Sequence, residues 1–213
     1  MIEITLKDGS TIQAEQGATP ADIAKQLSNK LAKKALAAKV DGQLWDLTRP
    51  VERDCALEIL TFDDEEGKWT LRHTASHVLA QAVKNLFPEA KLAIGPAIDD
   101  GFYYDFDIEQ SFTPEALLKI EKEMSKIVSA NEPLERFTLP RSEAIAFMRE
   151  RGEDYKVELI EDLPEGEEIS FYRQGEFVDL CAGAHVPSTG KIKAFKLTRT
   201  AGAYWRGDEK NKM

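Results

Sequence analysis

Five residues, Asp63-Asp64-Glu65-Glu66-Gly67, interrupt two stretches that each carry their own apolar pattern. Adjacent carboxylates and a glycine make poor core material, so the run predicts a polar, mobile linker over residues 62–68, between a small unit at 1–61 and a larger one at 69–213. In the small unit, Ile2, Ile4 and Leu6 alternate with polar residues, Asp8-Gly9 supplies a hairpin turn and Thr11-Ile12 begins the return strand. Thr19 reads as a helix N-cap ahead of Pro20, with Asp22 at the positive end of the dipole and Ile23, Leu27 and Leu31 on one face. A second hairpin at Asp41-Gly42 and a last strand through Leu57, Ile59 and Leu60 complete a small α+β roll.

The larger unit opens on an expected long helix over 69–87, stopped by Pro88. A hairpin over 92–98 and 102–106 turns at Asp100-Gly101. A helix from Thr113-Pro114 to Ala130 follows, then a shorter one capped by Ser142 and running to Arg151, and strands at 169–172, 177–181 and 194–197. The fold class expected is α+β: a ubiquitin-like β-grasp roll, then a larger α+β domain with a long histidine-bearing helix on an antiparallel sheet.

Composition bounds function only coarsely. No run of about 18 apolar residues suggests a membrane span, and no export signal opens the chain, so a soluble, cytoplasmic protein is expected. Cys55 and Cys181 are too few for a disulfide scaffold and read as thiols, Cys55 in the core. A net charge of -10 argues at face value against a polyanionic partner. Residues 150–179, however, carry 11 acidic against 3 basic side chains, whereas 191–213 carry 7 basic against 2 acidic, together with Phe195, Tyr204 and Trp205. That basic, aromatic end is a candidate phosphate-binding face.

The chemistry-bearing residues are sparse. His73 and His77 lie one helical turn apart, about 40° from each other on the wheel, whereas Leu71, Ala75, Val78, Leu79, Ala82 and Leu86 cluster at about 140–240°. The two imidazoles thus point away from the main apolar stripe, toward solvent or a second buried surface. His185 follows Cys181 by four residues at a strand end. His-x3-His with Cys-x3-His could furnish four zinc ligands, or a metal-free site in which imidazoles position or deprotonate a water. Lys156, in the acidic block, would ordinarily be a solvated ammonium; in an ester-hydrolysing site it could face a developing oxyanion. Asp179 could orient a histidine or a water, and of Tyr103 and Tyr104 one faces away from its neighbour.

These residues, with Ile94-Gly95-Pro96, Gly101-Phe102-Tyr103-Tyr104-Asp105, Tyr155-Lys156-Val157, Asp179-x-Cys181-x3-His185 and Ala201-Gly202-Ala203-Tyr204-Trp205-Arg206-Gly207, resemble the N-terminal half of the bacterial threonyl-tRNA synthetases. The resemblance implies a TGS domain at 1–61 and an editing domain of the alanyl-related type at 69–213. It implies hydrolysis of serine mischarged on tRNA(Thr), with His73, Lys156 and Asp179 catalytic and His77, Tyr104, Cys181 and His185 contacting substrate. It also implies an editing site without metal or other cofactor, zinc on His73, His77, Cys181 and His185 being the alternative. ATP and a catalytic zinc are expected only in an aminoacylation core outside these residues. Partners expected are the tRNA(Thr) acceptor end and no membrane, with a monomeric fragment and a parent enzyme that dimerises through other domains. Two other functions compete: a zinc-dependent hydrolase or alanyl-type deacylase, and a non-catalytic TGS-type binding module.

Overall fold

The structure, a computed structural model, describes residues 1–207 and 210. Strands β1 (Ile2–Leu6), β2 (Thr11–Ala14), β3 (Ala37–Val40), β4 (Gln43–Trp45) and β5 (Cys55–Leu60) form one sheet in the order β2-β1-β5-β3-β4. Only β1 and β5 pair in parallel, as the ubiquitin-like roll requires. The second hairpin turns where expected, with Asp41 and Gly42 at φ 51 and 81. That backbone is the primed turn whose twist suits a two-residue hairpin.

Helix α1 (Pro20–Leu27) starts on a full capping box, Thr19 and Asp22 exchanging side-chain and backbone hydrogen bonds. It is shorter than the spacing predicts. Ser28 ends it in extended backbone and caps a separate α2 (Asn29–Lys34), so Leu31 does not continue the face of Ile23, and Leu27 is exposed.

Helix α3 (Glu65–Leu86) begins four residues before the expected Trp69 and absorbs much of the acidic run. The connection is tied down: Asp64 Oδ2 accepts from the Thr61 backbone N–H at 2.8 Å and from its hydroxyl at 3.2 Å. Gly67 lets the first helical turn approach the chain, since a Cβ there would stand 1.9 Å from the Thr61 carbonyl oxygen.

The expected long hairpin is two short pairs, β6 (Lys91–Leu92) with β9 (Phe106–Asp107) and β7 (Ala97–Ile98) with β8 (Gly101–Phe102). Helix α4 (Pro114–Ala130) starts on the Thr113 cap as read and packs along α3 over a core centred on Val78, Val83, Ile120 and Met124. Helix α5 (Arg141–Glu150) follows Pro140, with Ser142 inside it rather than capping it. Two elements had no counterpart in the sequence reading: β10 (Leu134–Thr138) and α6 (Asp154–Asp162). Strand β10 pairs β11 (Ser170–Gln174), which pairs β12 (Phe177–Leu180), all antiparallel. Residues 194–197 form no strand; Phe195 and Leu197 pack on the α3–α4 core, and the Leu197 N–H is taken by Glu121 Oε1 at 2.7 Å.

In an antiparallel pair, opposed residues share a face. Tyr172 opposes Asp179 and Gln174 opposes Phe177, and this face meets α3; Phe171 and Val178, on the other face, pack with Met148, Val157 and Ile160 of α5 and α6. The sheet thereby delivers Asp179 and the loop beyond β12 to the histidine side of α3.

Candidate functional site

His73 and His77 do face a second buried surface. Both are buried, and they meet His185 from the loop after β12, with ring centroids 4.4 Å from His73 and 4.2 Å from His77. Cys181, at the end of the strand, turns its sulfur between them, 3.5 Å from His73 Nε2 and 3.4 Å from His185 Nε2. All three histidines of the chain thus converge with the one cysteine outside the first domain's core.

Helix α6 explains the lysine. Lys156 is buried, not solvated, and its Nζ lies 2.8 Å from Asp179 Oδ1, the two side chains being 4% and 2% exposed. Tyr104 donates its hydroxyl to Asp179 Oδ2 at 2.6 Å, and His77 Nε2 stands 3.8 Å from the same oxygen. Tyr103, its neighbour, is exposed, as alternation requires. The glycine of Ile94-Gly95-Pro96 now has a reason: a Cβ on Gly95 would fall 2.0 Å from the Tyr104 ring, so only glycine lets that ring lie against the backbone. Gly183 does the same for His73, a Cβ there standing 2.8 Å from His73 Cε1 and 3.1 Å from Trp69.

Electrostatics keep the imidazoles neutral. Burial pushes His73 down to about 4 and His77 to about 3, against the opposing pull of Asp179, and pushes His185 well below the usual range. Burial alone would raise the Asp179 carboxyl, but Lys156, His77 and Tyr104 outweigh it and hold the group below its ordinary value. The Cys181 thiol is pushed up to about 12 by burial and by the Asp179 charge.

Thr74 Oγ1 ties the helix to the loop: it accepts from the Val186 N–H at 3.1 Å and stands 3.1 Å from His185 Nδ1 and 2.9 Å from the Thr70 carbonyl oxygen. Among the described residues, buried His73 Nδ1 has no hydrogen bond of good geometry, although the Ala184 backbone opposes the effect of burial on the ring, and a bound water or substrate group would satisfy the nitrogen.

The donor set suits a metal. One donor atom each from His73, His77, Cys181 and His185 lie within 4.8 Å of one another. The two Sγ–Nε2 separations match the edge of about 3.5 Å expected for a sulfur and a nitrogen on tetrahedral zinc. The four residues could hold such an ion.

The basic, aromatic end is less free than its composition suggests. Arg206 pairs with Asp162 at 2.5 Å and with Glu158 at 3.6 Å, Trp205 Nε1 donates to Glu158 at 2.9 Å, and Lys196 pairs with Glu121 at 2.9 Å. Lys191 donates to the Lys33 and Ala35 carbonyls of the first domain. Residues 208, 209 and 211–213 of that end lie outside the described residues. Among the described residues no helix is long and apolar enough to cross a membrane.

Three residues of the site's surroundings escaped the sequence reading: Thr74, Tyr172 and Asp46. Thr74 shares the helix face of His73 and His77, a signal that was present. Asp46 lies 139 residues from the group it binds, and nothing local to it marks the contact.

Two family models match the chain: the TGS domain over residues 2–61, and the threonyl and alanyl tRNA synthetase second additional domain over residues 169–213, which includes Asp179, Cys181 and His185. Over all 213 residues the chain is 67% identical to a threonine–tRNA ligase of Clostridium botulinum (strain Kyoto / Type A2) and 67% to one of Clostridium tetani (strain Massachusetts / E88). It spans 34% and 33% of those relatives, about a third of their length. Over its whole length the chain is thus similar to the N-terminal region of bacterial threonine–tRNA ligases, and it matches the TGS domain and, further on, the second additional domain of threonyl and alanyl tRNA synthetases.

Proposed function

We propose that the chain proofreads aminoacylation by hydrolysing the ester of serine wrongly attached to tRNA(Thr), as the editing part of a threonine–tRNA ligase working in the cytoplasm. The observation that carries this reading is the convergence of His73, His77, Cys181 and His185 with the buried Lys156–Asp179–Tyr104 group. A discriminating site is needed because serine lacks only one methyl of threonine, and a methyl is worth about 1–3 kcal/mol, too little for accurate selection in one step.

In this mechanism His73 and Asp179 hold the attacking water. Neutral His73 offers the water a lone pair, since burial holds its ring near 4. The water oxygen bonds to the ester carbon, its proton passes by way of His73 to the ribose oxygen, and the carbon–oxygen bond to the ribose breaks. Lys156 faces the oxyanion of the tetrahedral intermediate, a fixed cation in a site with little water to reorganise. Cys181 and His185 contact the seryl group and the terminal adenosine, His77 shapes the helix face, and Tyr104, pinned to Asp179, walls the pocket against the extra methyl of threonine.

We assign this chemistry to the side chains without a metal, because Lys156 already places a cation in the site. A zinc ion on His73, His77, Cys181 and His185 would, when bound, supply Lewis-acid polarisation of the ester carbonyl. The chain alone is taken as monomeric, dimerisation belonging to other domains of the larger enzyme. Release of serine from Ser-tRNA(Thr), with Thr-tRNA(Thr) spared, tests the reading. Unchanged rates in His73→Ala and Lys156→Ala would sink the mechanism. One tightly bound zinc per chain, removed by a chelator together with activity, would replace it by the metal-dependent route. Tight tRNA binding without hydrolysis would leave a binding module.

A further inference from the structure

The first domain reaches into the site with one side chain. Asp46, in the turn after β4, is 5% exposed, and its carboxylate holds two groups of the second domain. Oδ1 accepts from the His185 backbone N–H at 2.8 Å, and Oδ2 accepts from the Tyr172 hydroxyl at 2.8 Å. The Tyr172 ring in turn packs edge-on against the His185 imidazole, centroids 4.4 Å apart. Both partners of the carboxylate therefore belong to the seat of one histidine.

The turn that presents Asp46 is itself braced. The Arg49 N–H donates to the Asp46 carbonyl at 3.2 Å, Trp45 Nε1 donates to the Arg49 carbonyl at 3.1 Å, and the Ala21 N–H donates to the Leu47 carbonyl at 3.0 Å. On the other side the Val186 N–H and His185 Nδ1 are held by Thr74 of α3. Two consecutive loop residues are thus gripped from two domains, the backbone of His185 by Asp46 and its ring by Thr74. Other polar contacts between the domains, Lys39 with Glu66 and Lys191 with the Lys33 and Ala35 carbonyls, lie at the periphery and touch no site residue. Burial raises the Asp46 carboxyl, opposed by these same hydrogen bonds, so the group is costly to place there and is sustained by what it holds.

We propose that Asp46 of the first domain is a positioning residue for the second domain's site, setting the place of His185 through its backbone N–H and through Tyr172. The TGS-like domain is then a structural part of the hydrolytic site. The inference rests on the proposed deacylation only for its kinetic readout.

The test uses the full chain, wild type against Asp46→Ala, Asp46→Asn and Tyr172→Phe. Asparagine can still accept from the His185 N–H and donate to the tyrosine oxygen, so it serves as the conservative rescue. In nitrogen-15 NMR, Asp46→Ala is expected to move the His185 amide proton upfield and shift the His185 ring nitrogens, with smaller changes at Tyr172→Phe and least at Asp46→Asn. In Ser-tRNA(Thr) hydrolysis, Asp46→Ala is expected to lower kcat about 10- to 100-fold with KM changed less than about 3-fold, the scale seen when groups that orient a site ligand are removed. Unmoved His185 signals in a folded Asp46→Ala chain would overturn the proposal, as would unchanged kcat in that variant while Lys156→Ala abolishes hydrolysis. A wild-type chain without hydrolysis whose His185 signals do respond to Asp46→Ala would sustain the positioning role and refute the deacylase reading alone.

Discussion

Replacing Lys156 by methionine should be among the most destabilising single changes in the second domain. The ammonium and the Asp179 carboxylate are both almost fully buried and 2.8 Å apart. Methionine fills much the same volume but leaves the carboxylate facing only the Tyr104 hydroxyl and a neutral His77. Breaking one side of a buried pair typically costs about 3–5 kcal/mol, and the retained tyrosine hydrogen bond places the expectation near the lower end, about 3 kcal/mol at pH 7. The double variant Lys156→Met/Asp179→Leu removes both charges and should recover to within about 2 kcal/mol of wild type, the remainder being the Tyr104 hydroxyl left without an acceptor. Urea unfolding followed through Trp69 and Trp205 fluorescence measures all three chains. The sign with pH is fixed by the carboxyl. In the wild type it is held below 3.8, so its contribution is complete at neutral pH and is lost as pH falls through that depressed value. Without the lysine, burial dominates and raises the carboxyl above 3.8, so the variant gains from protonation where the wild type does not. The gap should therefore narrow between pH 7 and pH 4. A single variant within about 1 kcal/mol of wild type at pH 7, or a gap that stays constant with pH, would refute the reasoning from burial.

Gly95→Ala places a methyl inside the Tyr104 ring and should cost about 1–3 kcal/mol in urea unfolding, with hydrolysis of Ser-tRNA(Thr) lost as the tyrosine leaves Asp179. Gly183→Ala crowds His73 and Trp69 less severely; slower hydrolysis with a smaller stability loss is expected, and equal rates for the two proteins would count against His73 as water holder. Tyr104→Phe deletes a hydrogen bond to a charged acceptor and should lower stability by about 1.5–3 kcal/mol, read from the urea midpoint at constant slope. Thr19→Ala dissolves the capping box of α1 and should cost about 1 kcal/mol in the same assay while leaving hydrolysis unchanged.

Local chemistry made much of the fold legible. Asp41-Gly42, Thr19-Pro20 and Thr113-Pro114 announce their turn and caps because each is decided within four residues. What failed was whatever a distant partner decides. Lys156 reads as ordinarily a solvated ammonium because the reason to bury it is Asp179, 23 positions onward. The apolar alternation at 194–197 suggests a strand, yet Glu121 claims the Leu197 N–H and the α3–α4 core claims the side chains. Net charge misleads in a similar way: Glu153 of the acidic block is spent inside the domain, accepting from the Leu92 N–H at 2.8 Å and pairing with Lys84 at 2.9 Å. Among the site residues, His73, His77, Cys181 and His185 are legible from spacing, whereas Asp46 is invisible until the two domains are seen together.

The tight turn from Thr61 into α3 has a consequence for how such chains can vary. The last strand of the first domain ends at Leu60 and the helix begins at Glu65. One residue inserted in the helix between Gly67, seated against the Thr61 carbonyl, and His73 would turn the rest of the helix by about 100° and advance it by about 1.5 Å relative to that seat. His73 would swing off Cys181, and Asp46 would face a different part of the loop. The length of helix between Gly67 and His73 therefore acts as a phase setting between the two domains, and gain or loss of a single residue there should be tolerated far less readily than a change of side chain.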